Sequence, residues 1–144
     1  MPTETAHLGA AKRNQKTIDF LLPEPMHDPW AATIALYKAL HAVEAMLASG
    51  KTGSSTRHTD NHKDRHYLLK STPAFSHIWK HYQPLYQASR IARYLQTESG
   101  SETVFGQYMD ATKVRQVLLG HYLKQVEKSI CRLVGDASYL SEAE

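Results

Sequence analysis

Apolar residues recur at helical spacing in every long segment of this chain, and no segment alternates with the two-residue period of a strand. That periodicity restricts the fold to helices packed on helices. It is clearest from Asp28 to Ser49, where Leu36, Leu40, Val43 and Leu47 repeat on one face, flanked by Trp30, Ile34, Ala39 and Met46. Asp28 can cap free N–H groups, Pro29 suits a first helical position, and Gly50 marks a stop. A second helix is expected from an Asp60 or Asn61 cap to about Lys70, and a third starts at Thr72-Pro73. The third carries Phe75, Ile78, Trp79, Tyr82, Leu85, Ser89 and Ala92 on its apolar stripe, and Pro84 predicts a kink, or a break near Gln83. After Gly100, with Ser101 as cap, the stripe Phe105, Tyr108, Met109, Thr112, Gln116, Leu119, Leu123, Val126, Ile130 and Leu133 predicts one long helix, bent at Gly120 and ending at Gly135. The expected fold is all-α, an antiparallel up-and-down four-helix bundle with short extra helices.

The 144 residues suit one domain. Residues 1–27 read as an N-terminal tail and docking segment, disordered or adherent through residue 16, with Ile18, Phe20, Leu21 and Leu22 docking on the body. Residues 28–136 form the helical body and 137–144 a C-terminal tail. No apolar run approaches the roughly 20 residues of a membrane span, and Met1–Gln15 lacks the apolar core of a secretory signal. The expectation is a cytoplasmic protein without a membrane partner. Cys131 has no second cysteine to pair with and reads as a small apolar filler. A net charge of +3 falls short of a strongly basic nucleic-acid binder, although nine histidines let that charge rise on acidification.

Polar chemistry concentrates between Thr56 and Leu69, which holds His58, His62 and His66 at i, i+4 and i+8 together with Asp60, Asp64, Arg57, Arg65 and Lys63. Two further faces bear on it. Tyr37, His41 and Glu44 lie beside the apolar stripe of the first helix, either as a half-exposed border or turned toward the histidines. Tyr86, Arg90 and Arg93 share a face of the third, where two guanidinium groups either grip phosphate or carboxylate or fasten helices through Asp64 and Glu44. Tyr67, Trp79 and Tyr94 read as core or interface aromatics.

The order of these elements resembles the HEPN superfamily over residues 28–135. The likeness rests on Tyr37-Lys-Ala-Leu-His-Ala-Val-Glu-Ala-Met-Leu-Ala48, on His62-Lys-Asp-Arg65, on Tyr86-Gln-Ala-Ser-Arg-Ile-Ala-Arg-Tyr94, and on the long closing helix. The resemblance implies a four-helix bundle, often dimeric, and functions from metal-independent endoribonuclease through nucleotide or RNA binding to non-catalytic modules. Active members carry an arginine, a polar residue and a nearby histidine on a late helix. Here Arg115 and His121 are the counterpart, with Gln116 where asparagine, aspartate or histidine is usual.

Three chemistries follow. In the first, imidazoles of His58, His62 and His66 share zinc or another divalent metal with Asp60 or Asp64, although no HExxH or CxxC pattern is present and His77 with His81 repeats the spacing elsewhere. In the second, Arg65, Arg90 and Arg93 hold RNA phosphate while His62, His58 or His121 moves a proton, which makes His62, Arg65, Arg115 and His121 the catalytic candidates. The third reading is preferred. A non-catalytic module, expected to dimerise and to need no cofactor, binds a nucleotide, RNA or a protein partner through His41, His58, His62, Asp64, Arg65, Tyr86, Arg90 and Arg93.

Overall fold

The computed structural model of the chain describes residues 2–53, 58–96, 100 and 102–141. It is all-helical, and among the described residues no strand forms beyond one isolated bridge between Gln96 and Glu102. Of the features read from sequence, Thr56 and Arg57 of the polar stretch, the Ser101 cap and the last three residues lie outside the described residues.

Helix α2, Asp28–Ala48, is the centre of the molecule. Its bounds follow the Asp-Pro start and the Gly50 stop, yet Asp28 caps nothing there. Its carboxylate is buried and takes both ends of the Arg115 guanidinium, at 3.0 and 3.1 Å. Leu36, Val43 and Met46 are fully buried, and so are the alanines at 31, 32, 35, 39, 42 and 45. A helix apolar nearly all round is covered on every side. The segment Pro25–Ala48 is also long and apolar enough to cross a membrane, where the sequence reading expected no such run, and most of it is buried inside the protein.

The largest single share of that cover comes from a segment read as a tail. Residues Glu4–Leu21 form helix α1, capped by the Thr3 hydroxyl, which accepts from Ala6 N at 3.1 Å. Helix α1 lies antiparallel along α2: His7 meets His41, Gln15 meets Lys38, and the Leu22 carbonyl receives Arg115 beside Asp28. The segment adheres as a helix that the apolar pattern does not announce, because α1 needs few apolar residues. Small alanines on α2 admit a close neighbour, so His7, Ala11 and Ile18 suffice as the buried line of α1. Phe20, expected to dock with Ile18, is 82% exposed. The C-terminal tail is likewise docked as far as it is described, with Leu140 buried and the Tyr139 hydroxyl donating to Glu4 at 2.6 Å.

Helix α3, His62–Ser71, opens on an Asn61 cap whose side chain accepts from Asp64 N at 2.8 Å. Helix α4, Ser76–Tyr94, follows a short 3-10 turn at Pro73–Phe75 and runs through Pro84 without the break expected near Gln83. Tyr82 and Leu85 on either side of the proline are fully buried, and that packing opposes the cost of the lost backbone bond. The predicted single closing helix is divided. Helix α5, Phe105–Tyr108, stops before an extended Met109, and Asp110 then caps α6, Ala111–Lys113, by accepting from Lys113 N at 2.9 Å. A π-helical stretch, Val114–Leu123, leads directly into α7, Lys124–Val134, which ends at Gly135 in the left-handed conformation. Helix α4 and α7 both pack on α2 and on each other.

Candidate functional site

The polar interior is built on Glu44. It follows His41 by three positions on α2, so the two side chains share a face, and that face is turned inward rather than forming an exposed border. Glu44 is 1% exposed. Its Oε1 accepts from Arg65 Nε at 2.7 Å and from the Thr59 hydroxyl, and its Oε2 accepts from Thr59 N at 3.0 Å. Arg65 is itself buried, one turn into α3. A buried carboxylate is tolerated when paired and hydrogen-bonded, and removing one member of such a pair costs about 3–5 kcal/mol.

Three imidazoles line up beside this pair. His7 Nδ1 lies 3.0 Å from His41 Nδ1, and His7 Nε2 lies 3.0 Å from His58 Nε2. His58 Nε2 is 3.7 Å from Glu44 Oε2, and His58 Nδ1 is 3.7 Å from Asp60 Oδ1. Burial lowers the basicity of His7 and His41, and the neighbouring charge of His58 on the one and of His7 on the other lowers it further. Neutral rings are thus favoured, with one nitrogen of each free to accept.

On the outer side of α3 a second group forms. The His62 ring is 5.3 Å from Tyr86 and 6.0 Å from His66, and Arg65 Nη1 is 3.4 Å from His62 Nδ1. His62 is made less basic by burial, then by the charges of Arg65 and Arg93. Arg90 and Arg93 both stand by the Tyr94 ring, at 5.5 and 5.0 Å, and Arg93 Nε donates to the Ser89 carbonyl and hydroxyl at 3.3 and 3.2 Å. Among the described residues neither arginine has a carboxylate partner, and Arg90 Nε is buried without an acceptor. Asp64 is exposed and engaged in the α3 cap through Asn61.

The sequence candidates therefore divide. His41, His58 and Arg65 meet in the interior, while His62, Tyr86, Arg90 and Arg93 lie along α3 and α4. The proposed trio His58, His62 and His66 does not assemble, because α3 begins at His62 and His58 turns back to His7 and Glu44. The donor set that does gather is His7, Glu44 and His58. The family-type pair is also apart in its contacts: Arg115 is held by Asp28 and the Leu22 carbonyl, and the exposed His121 ring faces His81 at 5.3 Å. Tyr67 and Tyr94, read as core or interface aromatics, are more than half exposed, whereas Trp79 packs on His66 at 5.3 Å.

Sequence reasoning missed His7, for which a lone histidine in a polar segment gave no signal. It also missed Lys38, buried on α2 and donating to Gln15 at 2.6 Å and Glu127 at 2.9 Å. Beside Lys38 opens a cavity of about 620 Å³, whose lining includes Lys124, Lys128, Cys131 and Arg132. Compared with known proteins, the chain matches no family model, no curated protein and no solved structure.

Proposed function

We propose that the chain is a HEPN-like, antiparallel four-helix module without catalytic function, cytoplasmic and dimeric, which binds a phosphate-bearing ligand, a nucleotide or RNA. The binding face is the side of α3 and α4 that carries His62, Tyr86, Arg90 and Arg93. The observation that carries this reading is the pair of guanidinium groups on neighbouring turns of α4, neither neutralised by a carboxylate among the described residues. Guanidinium is suited to phosphate by charge and by its planar donor geometry. His62, made less basic by burial and by the charges of Arg65 and Arg93, can supply a hydrogen bond, and Tyr86 offers a ring and a hydroxyl beside it.

The test is fluorescence anisotropy of a labelled short RNA, with mononucleotides as competitors, over a range of salt. Affinity should fall as salt rises, because each neutralised phosphate releases counterions. Arg90→Ala with Arg93→Ala should weaken binding at least tenfold at low salt while leaving the melting temperature within a few degrees. Binding that ignores both salt and the double substitution would sink the reading, and scission of the RNA during the titration would favour the endoribonuclease instead.

A further inference from the structure

The chain of imidazoles between α1, α2 and the segment before α3 has no part in that binding face. We propose that His7, His58 and Glu44 form a site for one divalent transition-metal ion, of which zinc is the best match. The three donor atoms lie within 4.8 Å of one another, and they come from three separate parts of the chain. Two imidazoles and one carboxylate, with a fourth position open, are an established zinc set. Metal–donor distances near 2.0–2.1 Å place tetrahedral donors about 3.3 Å apart. The observed separations, 3.0 Å between His7 Nε2 and His58 Nε2 and 3.7 Å between His58 Nε2 and Glu44 Oε2, fall on either side of that value.

The groups behind the donors argue the same way. A ligating histidine ordinarily gives its other N–H to a fixed acceptor, and a ligating carboxylate is itself hydrogen-bonded. Behind His7 stands His41, with Nδ1 to Nδ1 at 3.0 Å. Behind His58 stands Asp60, at 3.7 Å from Nδ1. Both Glu44 oxygens are held: Oε1 accepts from Arg65 and the Thr59 hydroxyl, and Oε2, the oxygen turned toward His58, accepts from Thr59 N and keeps a second lone pair. His58 Nδ1 is a buried polar atom lacking a hydrogen-bond partner. Ligation through Nε2 places the ring proton on Nδ1, facing Asp60. The Arg65 charge opposes a dication, and the carboxylates of Glu44 and Asp60 offset it.

An ion here would tie the N-terminal helix to α2 and to the entry of α3, so it would bind the folded chain and not the unfolded one. Chelator-treated full-length protein is titrated with Zn²⁺ by calorimetry, and separately with Co²⁺ by visible absorption. One ion per chain is expected, with the intense ligand-field bands of tetrahedral Co²⁺. The melting temperature should rise by about 9 °C at a hundredfold excess over Kd. His58→Gln, which changes a residue outside any helix, should weaken Zn²⁺ binding at least a hundredfold, and His41→Ala about tenfold or more. His77→Ala controls for the pair formed on α4 by exposed His77 and buried His81, whose rings stand 4.6 Å apart, and should leave the affinity unchanged. Wild-type protein without tetrahedral Co²⁺ bands, or Zn²⁺ affinity kept in His58→Gln and lost in His77→Ala, would overturn the proposal. The cobalt spectrum needs no variant, so a His58→Gln chain that fails to fold leaves the test intact.

Discussion

At the scale of single residues, His66 shows how the aromatic layer between α3 and α4 governs a titrating group. Its ring lies 5.3 Å from Trp79, 5.8 Å from Tyr82 and 4.4 Å from Tyr86, and its Nε2 is buried without a partner. Burial, followed by the charges of His62 and Arg65, lowers its pKa to about 4 from an ordinary 6.5. The folded state thus resists a proton that the unfolded chain accepts. Stability from this group is fully present above pH 6.5 and is lost as pH falls toward 4, because the unfolded state binds more protons across that window. His66→Phe removes the titration and leaves a ring that suits the same neighbours. We predict that it raises stability at pH 5 by about 1–2 kcal/mol and flattens the acid limb, as read from urea midpoints between pH 4 and 7. An acid limb as steep as that of wild type would assign the acid sensitivity to other histidines. The candidate site was legible at this scale only in part. His41 and Glu44 could be placed on one face because helical spacing fixes direction, and Asn61 could be read as a cap. Their partner His7 could not, because nothing in Thr3-Glu-Thr-Ala-His7 says which tertiary surface that histidine meets.

At the scale of elements, the turn that departs from α geometry is the one where the apolar pattern misleads. The buried residues Val114, Leu118, Leu119 and Leu123 fall into two pairs four positions apart, so apolar spacing carries no mark of the wider π turn. The stripe read from sequence includes the buried Leu119 and Leu123 but also Thr112 and Gln116, and both of these are exposed. Helix starts at Asp28 and His62 were legible because proline or a capping side chain sets them locally, whereas Thr72-Pro73 opens a 3-10 turn and α4 itself starts three residues later at Ser76. The break at Met109 had the same sort of marker in Asp110, but the apolar residues around it hid the cap. Gly120 records the π geometry: a Cβ built on it meets the Arg115 carbonyl oxygen, five residues earlier, at 2.8 Å. In an ordinary helix interior, glycine to alanine gains up to about 1 kcal/mol. Here the methyl group strikes backbone, which has little room to yield. Gly120→Ala is expected to destabilise by about 1–3 kcal/mol, measured as a lower urea midpoint with unchanged slope. A raised midpoint would mean that this segment is α-helical.

At the scale of the whole molecule, the apolar character of α2 has to be met by its neighbours. Its alanines bury little area each, so their value lies in letting adjacent helices approach closely, where many weak dispersion attractions add up. Helix α1 is the neighbour that depends on this. It brings Ala11 and Ile18 to the interior, and it completes three polar contacts of the body: Gln15 on Lys38, His7 on His41, and the Leu22 carbonyl on the Arg115 that holds Asp28. Removing residues 2–22 therefore exposes the long apolar face of α2 and strips a partner from Lys38, which is 4% exposed in the intact chain. A buried ammonium that keeps only Glu127 loses a hydrogen bond to a charged group, about 1.5–3 kcal/mol, on top of the lost apolar burial. The sum is comparable with the whole stability of a small domain. The truncated chain is expected to lose its cooperative melting transition, to bind a hydrophobic dye, and to elute as aggregates, whereas the intact chain melts in one step. A truncated chain that stays monodisperse and melts within a few degrees of the intact protein would show that α1 only lies on a body already complete without it.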